Sequence, residues 1–139
     1  MRTEIFSADF VQLDSIREFV GQAARDADMG DVEIYHLQMA VDEACSNIIE
    51  HAYAGMEAGD IECTCVNSDV GLTVILRDHG KPFAPSLVPE PDLSADLLSR
   101  RVGGVGLHII RSLMDEVMFE QLGESGNVLT MVKYSRRAE

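Results

Sequence analysis

Hydrophobic residues along this chain change their spacing several times, and the order of those changes restricts the folds available to it. A spacing of three or four residues, typical of an amphipathic helix, alternates with the two-residue spacing of strands. The predicted order is strand, two helices, two strands, a long loop, one helix and two strands. The corresponding ranges are about 2–6, 9–28, 31–53, 61–67, 72–77, 106–114, 116–121 and 128–134. This order predicts one α+β domain over residues 1–139: a two-layer sandwich with helices packed on one face of a mixed, mainly antiparallel sheet.

The two N-terminal helices have the clearest patterns. Phe10, Ile16 and Val20 lie on the predicted inner face of the first helix, and Val41 lies on that of the second. Asp31 precedes the second helical pattern and is its predicted N-cap, because a carboxylate there can accept a hydrogen bond from a free backbone N–H.

The segment from His79 to Arg101 contains all four prolines of the chain and has neither helical nor strand periodicity. It predicts a long loop with a short helical piece near residues 94–99. Long irregular loops inside a compact domain are commonly lids or binding loops. We therefore expect the part from Pro82 to Arg101 to close over a ligand.

The charge balance excludes one broad class of function. The chain has 24 acidic and 11 basic residues and a net charge of −13. Binding to a nucleic-acid backbone needs clustered lysine and arginine, so direct DNA binding is not expected. A small nucleotide site remains compatible with this surface, and so does a basic protein partner.

The cysteines predict packing rather than metal chemistry. Cys63 and Cys65 alternate along a strand and share one face with a single residue between them, as buried small hydrophobic residues do. Neither the paired Cys-x₂-Cys spacing of a zinc site nor a histidine partner at a set spacing is present. An odd number of cysteines, together with the absence of a signal peptide, predicts a reducing cytoplasmic location. No apolar run approaches membrane-spanning length.

A polar stripe runs along the second helix. Glu43, Asn47 and His51 follow one another at four-residue spacing and therefore share a helix face. Glu43 has the chemistry of a general base, and the Asn47 amide oxygen suits Mg²⁺ that also binds phosphates. The alternative is the solvated face of an ordinary amphipathic helix. Asp42 points about a quarter turn away from Glu43 and is predicted to be a surface acid. His51 is predicted to be a structural histidine and not a residue of the site.

A second polar cluster follows the apolar strand 72–76. The Asp78 carboxylate at the strand end can accept a hydrogen bond from an amino group such as that of adenine, and Gly80 lets the backbone pass close to a flat ring. A plain Asp-x-Gly turn, common at strand ends, is the alternative.

The third cluster is the glycine-rich start of the last helix, at Gly103, Gly104 and Gly106. Free N–H groups at a helix start bind phosphate well. Arg100 and Arg101 precede the glycines and can pair with an anion, or they form a solvated loop pair. The spacing matches neither a P-loop nor a Gly-x-Gly-x-x-Gly dinucleotide motif.

Taken together, these motifs resemble a known family. Their order is Glu-x-x-x-Asn from residue 43, Asp-x-Gly-x-Pro-Phe from residue 78 and Gly-Gly-x-Gly-Leu from residue 103. This order is similar to the Bergerat-fold ATPase domain of the GHKL superfamily, a histidine-kinase-like ATPase domain. In detail it resembles the small anti-sigma-factor serine protein kinases. The similarity spans the whole chain, and three motifs in order are far more specific than any one of them.

The resemblance implies a role for each motif. Glu43 would be the general base, and Asn47 would ligate Mg²⁺ at the phosphates. Asp78 would bind the adenine amino group with Gly80 beside the base. The phosphates would be wrapped by the segment from Arg101 to Leu107, of which Arg101, Gly103, Gly104, Val105, Gly106 and Leu107 are the expected contacts.

The resemblance also implies an activity. It indicates an ATP- and Mg²⁺-dependent serine protein kinase that is also an anti-sigma factor. Such a protein binds a sigma factor and phosphorylates a small antagonist protein on serine. A cytoplasmic homodimer without membrane contact is expected. The alternative is a nucleotide-gated protein-binding module of a bacterial regulatory switch, with little or no kinase activity.

Overall fold

The computed structural model describes residues 1–57, 59–81 and 103–135. Within these ranges the order of elements follows the predicted one. The strands are β1 (Arg2–Ser7), β2 (Asp60–Asn67), β3 (Gly71–Asp78), β4 (Glu116–Gln121) and β5 (Asn127–Tyr134). The helices are α1 (Leu13–Asp26), α2 (Asp31–Asn47) and α3 (Gly103–Leu113), and a π-helical turn (Ile48–Ala52) continues α2.

The strands form one five-stranded sheet in the order β1-β2-β3-β5-β4. Every pairing among the described strands is antiparallel. Alternate residues of the central strands, such as Cys63 on β2 and Val74 on β3, are fully buried against the helices. This alternation is what a sheet covered by helices on one face requires, and it confirms the predicted α+β class.

Helix α2 lies at the centre of the helical layer and packs against both α1 and α3. Its inner residues Leu37, Ala40 and Val41 are fully buried, and the alanine allows neighbouring elements to approach closely. The predicted cap of this helix is wrong by one residue. Gly30 occupies the N-cap position and Asp31 is the first helical residue, where its charge still favours the positive end of the helix dipole.

The start of the first helical segment also differs from the prediction. A short 3₁₀ turn at Phe10–Gln12 precedes α1, and the Asp9 carboxylate caps it by accepting a hydrogen bond from Val11 N at 3.0 Å. Because this turn has a different residue spacing from the α-helix, Phe10 does not face the core and is half exposed. Ile16 and Val20, in regular helix, are buried as predicted.

The cysteines behave as predicted. Cys45, Cys63 and Cys65 are buried and form no disulfide. Burial raises the pKa of the Cys45 thiol, and a hydrogen bond with Cys65 together with burial raises that of Cys63. In the described part of the chain, no helix has both the length and the apolar character needed to cross a membrane.

Candidate functional site

The second half of α2 carries the first pair of predicted site residues. Glu43 is half buried, and Asn47, one turn further on, is only 9% exposed. No described residue hydrogen-bonds to the Asn47 side-chain amide, which is therefore available to a ligand. Burial, and then the charges of Asp42 and Glu50, raise the pKa of the Glu43 carboxyl above its usual value. A carboxylate with a raised pKa is a better proton acceptor than an ordinary surface glutamate.

Asp42, adjacent in sequence, has a structural partner. Its Oδ1 accepts a hydrogen bond from Arg17 Nη1 of α1 at 3.1 Å, and the same guanidinium also pairs with Asp14. This contact joins α1 to α2 and gives Asp42 a structural role; that Asp42 is not a second catalytic group stays a prediction.

The predicted stripe from Glu43 to His51 is interrupted after Asn47. The π turn has i→i+5 hydrogen bonds, among them Tyr53 N to Ile48 O at 3.2 Å. Because such a turn is wider than an α-helical one, a four-residue spacing no longer keeps His51 in register with Asn47. Single π turns within helices are frequent at functional sites.

The π turn is also where the second motif contacts α2. Lys81 N donates a hydrogen bond to Ala52 O at 2.6 Å. A Cβ atom on Gly80 would lie 2.4 Å from the same Ala52 oxygen, so only glycine fits there without a shift. Tyr53 strengthens the junction because its hydroxyl accepts a hydrogen bond from His79 N and donates one to Asp60 O. The exit of β3 is thereby held against the end of the α2 segment that carries Asn47.

Asp78 is buried, with 4% of its surface exposed. Its Oδ1 accepts hydrogen bonds from Gly80 N and from Asn127 Nδ2, both at 2.9 Å. Within the described ranges no group donates to Oδ2. The Asp-x-Gly turn considered as the alternative is therefore formed, and it occupies one carboxylate oxygen while the other stays available to a ligand.

Asn127 is a partner of Asp78 that the sequence did not reveal. It is the first residue of β5 and pairs with Asp78 across the sheet. Gly126 before it has φ +94°, and a Cβ there would lie 2.4 Å from the Asp78 carbonyl oxygen. The sequence signal for this pair is a turn, Gly123 to Asn127, and the strand partner of that turn is set only by the sheet register.

The glycine-rich segment forms the first turns of α3. The helix begins at Gly103, three residues before the predicted Gly106, so the backbone of residues 103–107 is helical. Its other end is anchored, since the buried Lys133 donates from Nζ to Leu113 O at 2.6 Å. Lys133 lies at the opposite end of β5 from Asn127, so the glycine end of α3 is the one that can approach Asp78. The predicted contact Arg101 and the loop 82–102 lie outside the described residues.

Across residues 1–57, 59–81 and 108–135, no cluster of three or more histidine, cysteine or acidic side chains could hold a metal ion. Mg²⁺ does not need such a cluster, because it commonly binds through one or two protein oxygens and substrate phosphates rather than an all-protein cage. The available Asn47 amide has the right chemistry for such a ligand.

Comparison with known proteins gives a consistent result. A profile of the histidine kinase-like ATPase domain matches residues 6–133. The chain is 36% identical over 108 residues to the serine-protein kinase RsbW of Bacillus subtilis, covering 73% of this chain and 65% of that protein. It is 33% identical over 111 residues to RsbW of Bacillus licheniformis, covering 76% and 67%. The chain thus spans about two thirds of the length of the curated relatives it matches.

Solved structures share the fold at low sequence identity. The RsbU and RsbW domains of Rv1364c from Mycobacterium tuberculosis match with a TM-score of 0.64 at 16% identity, over 98% of this chain and 33% of that one. The histidine kinase domain of the Erythrobacter litoralis blue-light activated kinase EL346 matches with a TM-score of 0.53 at 16% identity, over 88% and 58%. With its three motifs, its helix-covered antiparallel sheet and a profile match over nearly its whole length, the chain belongs to the histidine kinase-like ATPase domain family.

Proposed function

We propose that this protein is an ATP-dependent serine protein kinase that also binds a sigma factor and a small antagonist protein. One observation carries the proposal. The contacts of Gly80 and Lys81 with Ala52 hold the end of β3, which carries Asp78, against the end of the helical segment bearing Glu43 and Asn47. A nucleotide site needs one group that recognises the base and another that binds near the phosphates, on elements that lie side by side.

The base would bind at the exit of β3. Asp78 Oδ2, to which no described residue donates, would accept a hydrogen bond from the 6-amino group of adenine. Gly80 would lie beside the ring. Burial of the carboxylate excludes competing water and makes this hydrogen bond more selective.

The phosphates would lie between α2 and the start of α3. The Asn47 amide oxygen would hold Mg²⁺, which when bound would neutralise phosphate charge and orient the γ-phosphate for in-line transfer. The backbone N–H groups of residues 103–107 would bind phosphate oxygens at the positive end of the helix dipole. Arg101 would add a local positive charge.

Glu43 would accept the proton of the acceptor hydroxyl. As the serine oxygen attacks the γ-phosphorus and ADP leaves, the proton moves to the Glu43 carboxylate. The raised pKa of Glu43 supports this assignment, because a carboxylate with a raised pKa is a stronger base.

The acceptor protein would approach along the exposed face of α2. Val32, Tyr35 and Met39 are 61%, 60% and 41% exposed, and their spacing puts them on the face that continues to Glu43. A protein that brings a serine to Glu43 has to pass over this apolar stripe, which would contribute to its binding.

The relatives' name, serine-protein kinase RsbW, supports the kinase assignment. A net charge of −13 supports attraction to a basic sigma-factor surface. On this proposal the sigma factor and the antagonist compete for a cytoplasmic homodimer. Phosphate added to the antagonist would weaken its binding near Glu43 and Asp78 through charge repulsion.

Transfer of labelled phosphate tests the kinase proposal. The protein is incubated with γ-labelled ATP, Mg²⁺ and a small antagonist protein encoded beside it, and phosphoserine is measured. Glu43→Gln should retain ATP binding and lose transfer, whereas Asn47→Ala should weaken Mg²⁺-dependent binding and transfer together. Glu120→Gln, at an exposed carboxylate on β4, serves as the matched control and should leave both unchanged.

The same assay separates the kinase from a binding module. ATP binding without any phosphoserine would favour the nucleotide-gated module. Full phosphotransfer by Glu43→Gln would show that Glu43 is not the general base. Pull-downs in ADP and then in ATP, probed for sigma factors and for the antagonist, test the partners.

A further inference from the structure

The lysine that follows the exit of β3 has an exposed side chain to which no role has been given so far. We infer that Lys81 is a nucleotide-binding residue whose ammonium group pairs with the phosphates of the bound nucleotide. The inference rests on the proposed function because it concerns the same site. It adds a positive charge at a position that the Asp-x-Gly-x-Pro-Phe motif leaves open.

Lysine is rare in this chain. Only two of the eleven basic residues are lysines, Lys81 and Lys133. Lys133 is buried and its Nζ donates a hydrogen bond to Leu113 O. Both lysines lie in the described ranges, so Lys81 is the one lysine of the chain whose side chain is open to a ligand.

Most other basic side chains in the described ranges already have an acidic partner. Four of them pair with a carboxylate: Arg2, Arg17, Arg25 and Arg77. Across residues 1–57, 59–81 and 108–135, neither the Lys81 ammonium nor the Arg111 guanidinium has such a partner. Arg111 lies near the C-terminal end of α3, away from its glycines. Lys81 is therefore the unpaired cation that adjoins the proposed base subsite.

The backbone of Lys81 is held at the junction between β3 and the end of the α2 segment. Its N–H donates to Ala52 O at 2.6 Å, and its carbonyl oxygen lies 3.4 Å from Asn127 Nδ2. Pro82, the next residue in the sequence, disfavours a helical backbone at Lys81. The position of the main chain is thus restrained, whereas the exposed side chain keeps its freedom.

This junction is where the proposed nucleotide would lie. The nucleotide would extend from Asp78 at the base to Asn47 at the phosphates, with Gly80 beside the ring. Lys81 directly follows Gly80, so its side chain begins at the mouth of the site. The flexible four-carbon stem of lysine allows the ammonium to extend along the nucleotide to its phosphates.

The charges of the site favour a cation at this position. Glu43, Glu50 and Asp78 are all carboxylates, and Glu50 is close enough to contribute to the raised pKa of Glu43. A nucleoside triphosphate with one Mg²⁺ still carries a net negative charge, which these carboxylates repel. The Lys81 ammonium would offset this repulsion and attract the nucleotide as it approaches.

Calorimetry with MgATP and with adenosine tests the inference, because only MgATP carries phosphates. Lys81→Met should weaken MgATP binding about tenfold and leave adenosine binding unchanged, since the lost contact is to phosphate. Lys81→Arg keeps the charge and should retain most of the affinity. Arg2→Met is the matched control and should change neither affinity. It removes the same charge at the opposite end of the sheet, because Arg2 pairs with Cys65 whereas Asp78 pairs with Ile61.

A second measurement locates the ammonium by its chemistry. The probe is ATP with an acyl group on its γ-phosphate. A lysine amine beside the phosphates attacks the acyl carbon, the bond from that carbon to the phosphate oxygen breaks, ATP leaves, and the amine proton passes to solvent. Mass spectrometry of a digest should find the acyl group on Lys81, and excess MgATP should block the reaction. Acetyl phosphate has no nucleoside to bring it to the site and should modify Lys81 about tenfold more slowly.

The possible failures can be told apart. A chain that does not bind MgATP overturns the proposed function together with the inference. If MgATP binds, the inference alone is overturned when Lys81→Met keeps full affinity or loses affinity for adenosine equally. It is also overturned if Lys81 is not acylated, or is acylated despite excess MgATP. Circular dichroism should show an intact fold for Lys81→Met, because the substituted side chain is exposed.

Discussion

Replacing Gly80 by alanine should destabilise the protein through a collision with the end of α2. The added Cβ would lie 2.4 Å from Ala52 O, 2.6 Å from Ala52 C and 2.8 Å from Ala52 Cβ. These are mostly backbone atoms of a packed helical turn, so they cannot swing aside as a flexible side chain would. The hydrogen bond from Lys81 N to Ala52 O at 2.6 Å would have to lengthen as the segments separate.

The expected cost follows from these two effects. Overpacking costs about 1–3 kcal/mol, and the weakened hydrogen bond adds about 1 kcal/mol. The free energy of unfolding should therefore fall by about 2–4 kcal/mol. For a urea dependence of about 2 kcal/mol per molar, the unfolding midpoint falls by about 1–2 M.

Urea unfolding followed by circular dichroism measures this loss, and Gly55→Ala is the matched control. Gly55 has φ +72° and nothing within 4 Å of its added Cβ. Its substitution should cost only about 1 kcal/mol, from backbone conformation alone. If Gly80→Ala loses no more stability than Gly55→Ala, the close approach of residue 80 to Ala52 is not the reason why this position requires glycine.

Three further predictions concern other parts of the molecule. The rate of phosphotransfer should fall as the pH drops through the raised pKa of Glu43, because the carboxylate is then protonated. Asp42→Asn removes a neighbouring negative charge and should move this fall in the pH–rate profile to lower pH. An unchanged profile would exclude the coupling between the two residues. The three cysteines should be unreactive to a thiol reagent in the native state and fully reactive in denaturant because they are buried. Rapid reaction of even one thiol in the native protein would contradict this. Lys133→Met should cost about 1–3 kcal/mol in urea unfolding because Leu113 O loses its donor, whereas exposed Lys81→Met should cost almost nothing.

Local sequence patterns were sufficient for the type and order of the elements, but not for all of their ends. Helical spacing correctly predicted that Ile16, Val20 and Val41 are buried but was wrong for Phe10, and alternation correctly predicted the burial of Cys63 and Cys65. The correct predictions succeed because the positions involved are near neighbours in the chain, where spacing alone decides which face a side chain occupies. The roles of Glu43, Asn47 and Asp78 remain predictions, to be tested as described.

Features that depend on distant parts of the chain were decided by the tertiary structure. Asn127 meets Asp78 only because β3 and β5 pair in one register, and Gly80 is confined by a helix that ends 28 residues earlier at Ala52. No local pattern encodes which strand lies beside which, since register is selected by burial of the whole sheet face. The sequence by itself therefore determined the order of the elements and the polar residues available, and packing between elements decided which groups meet at Asp78 and at Gly80.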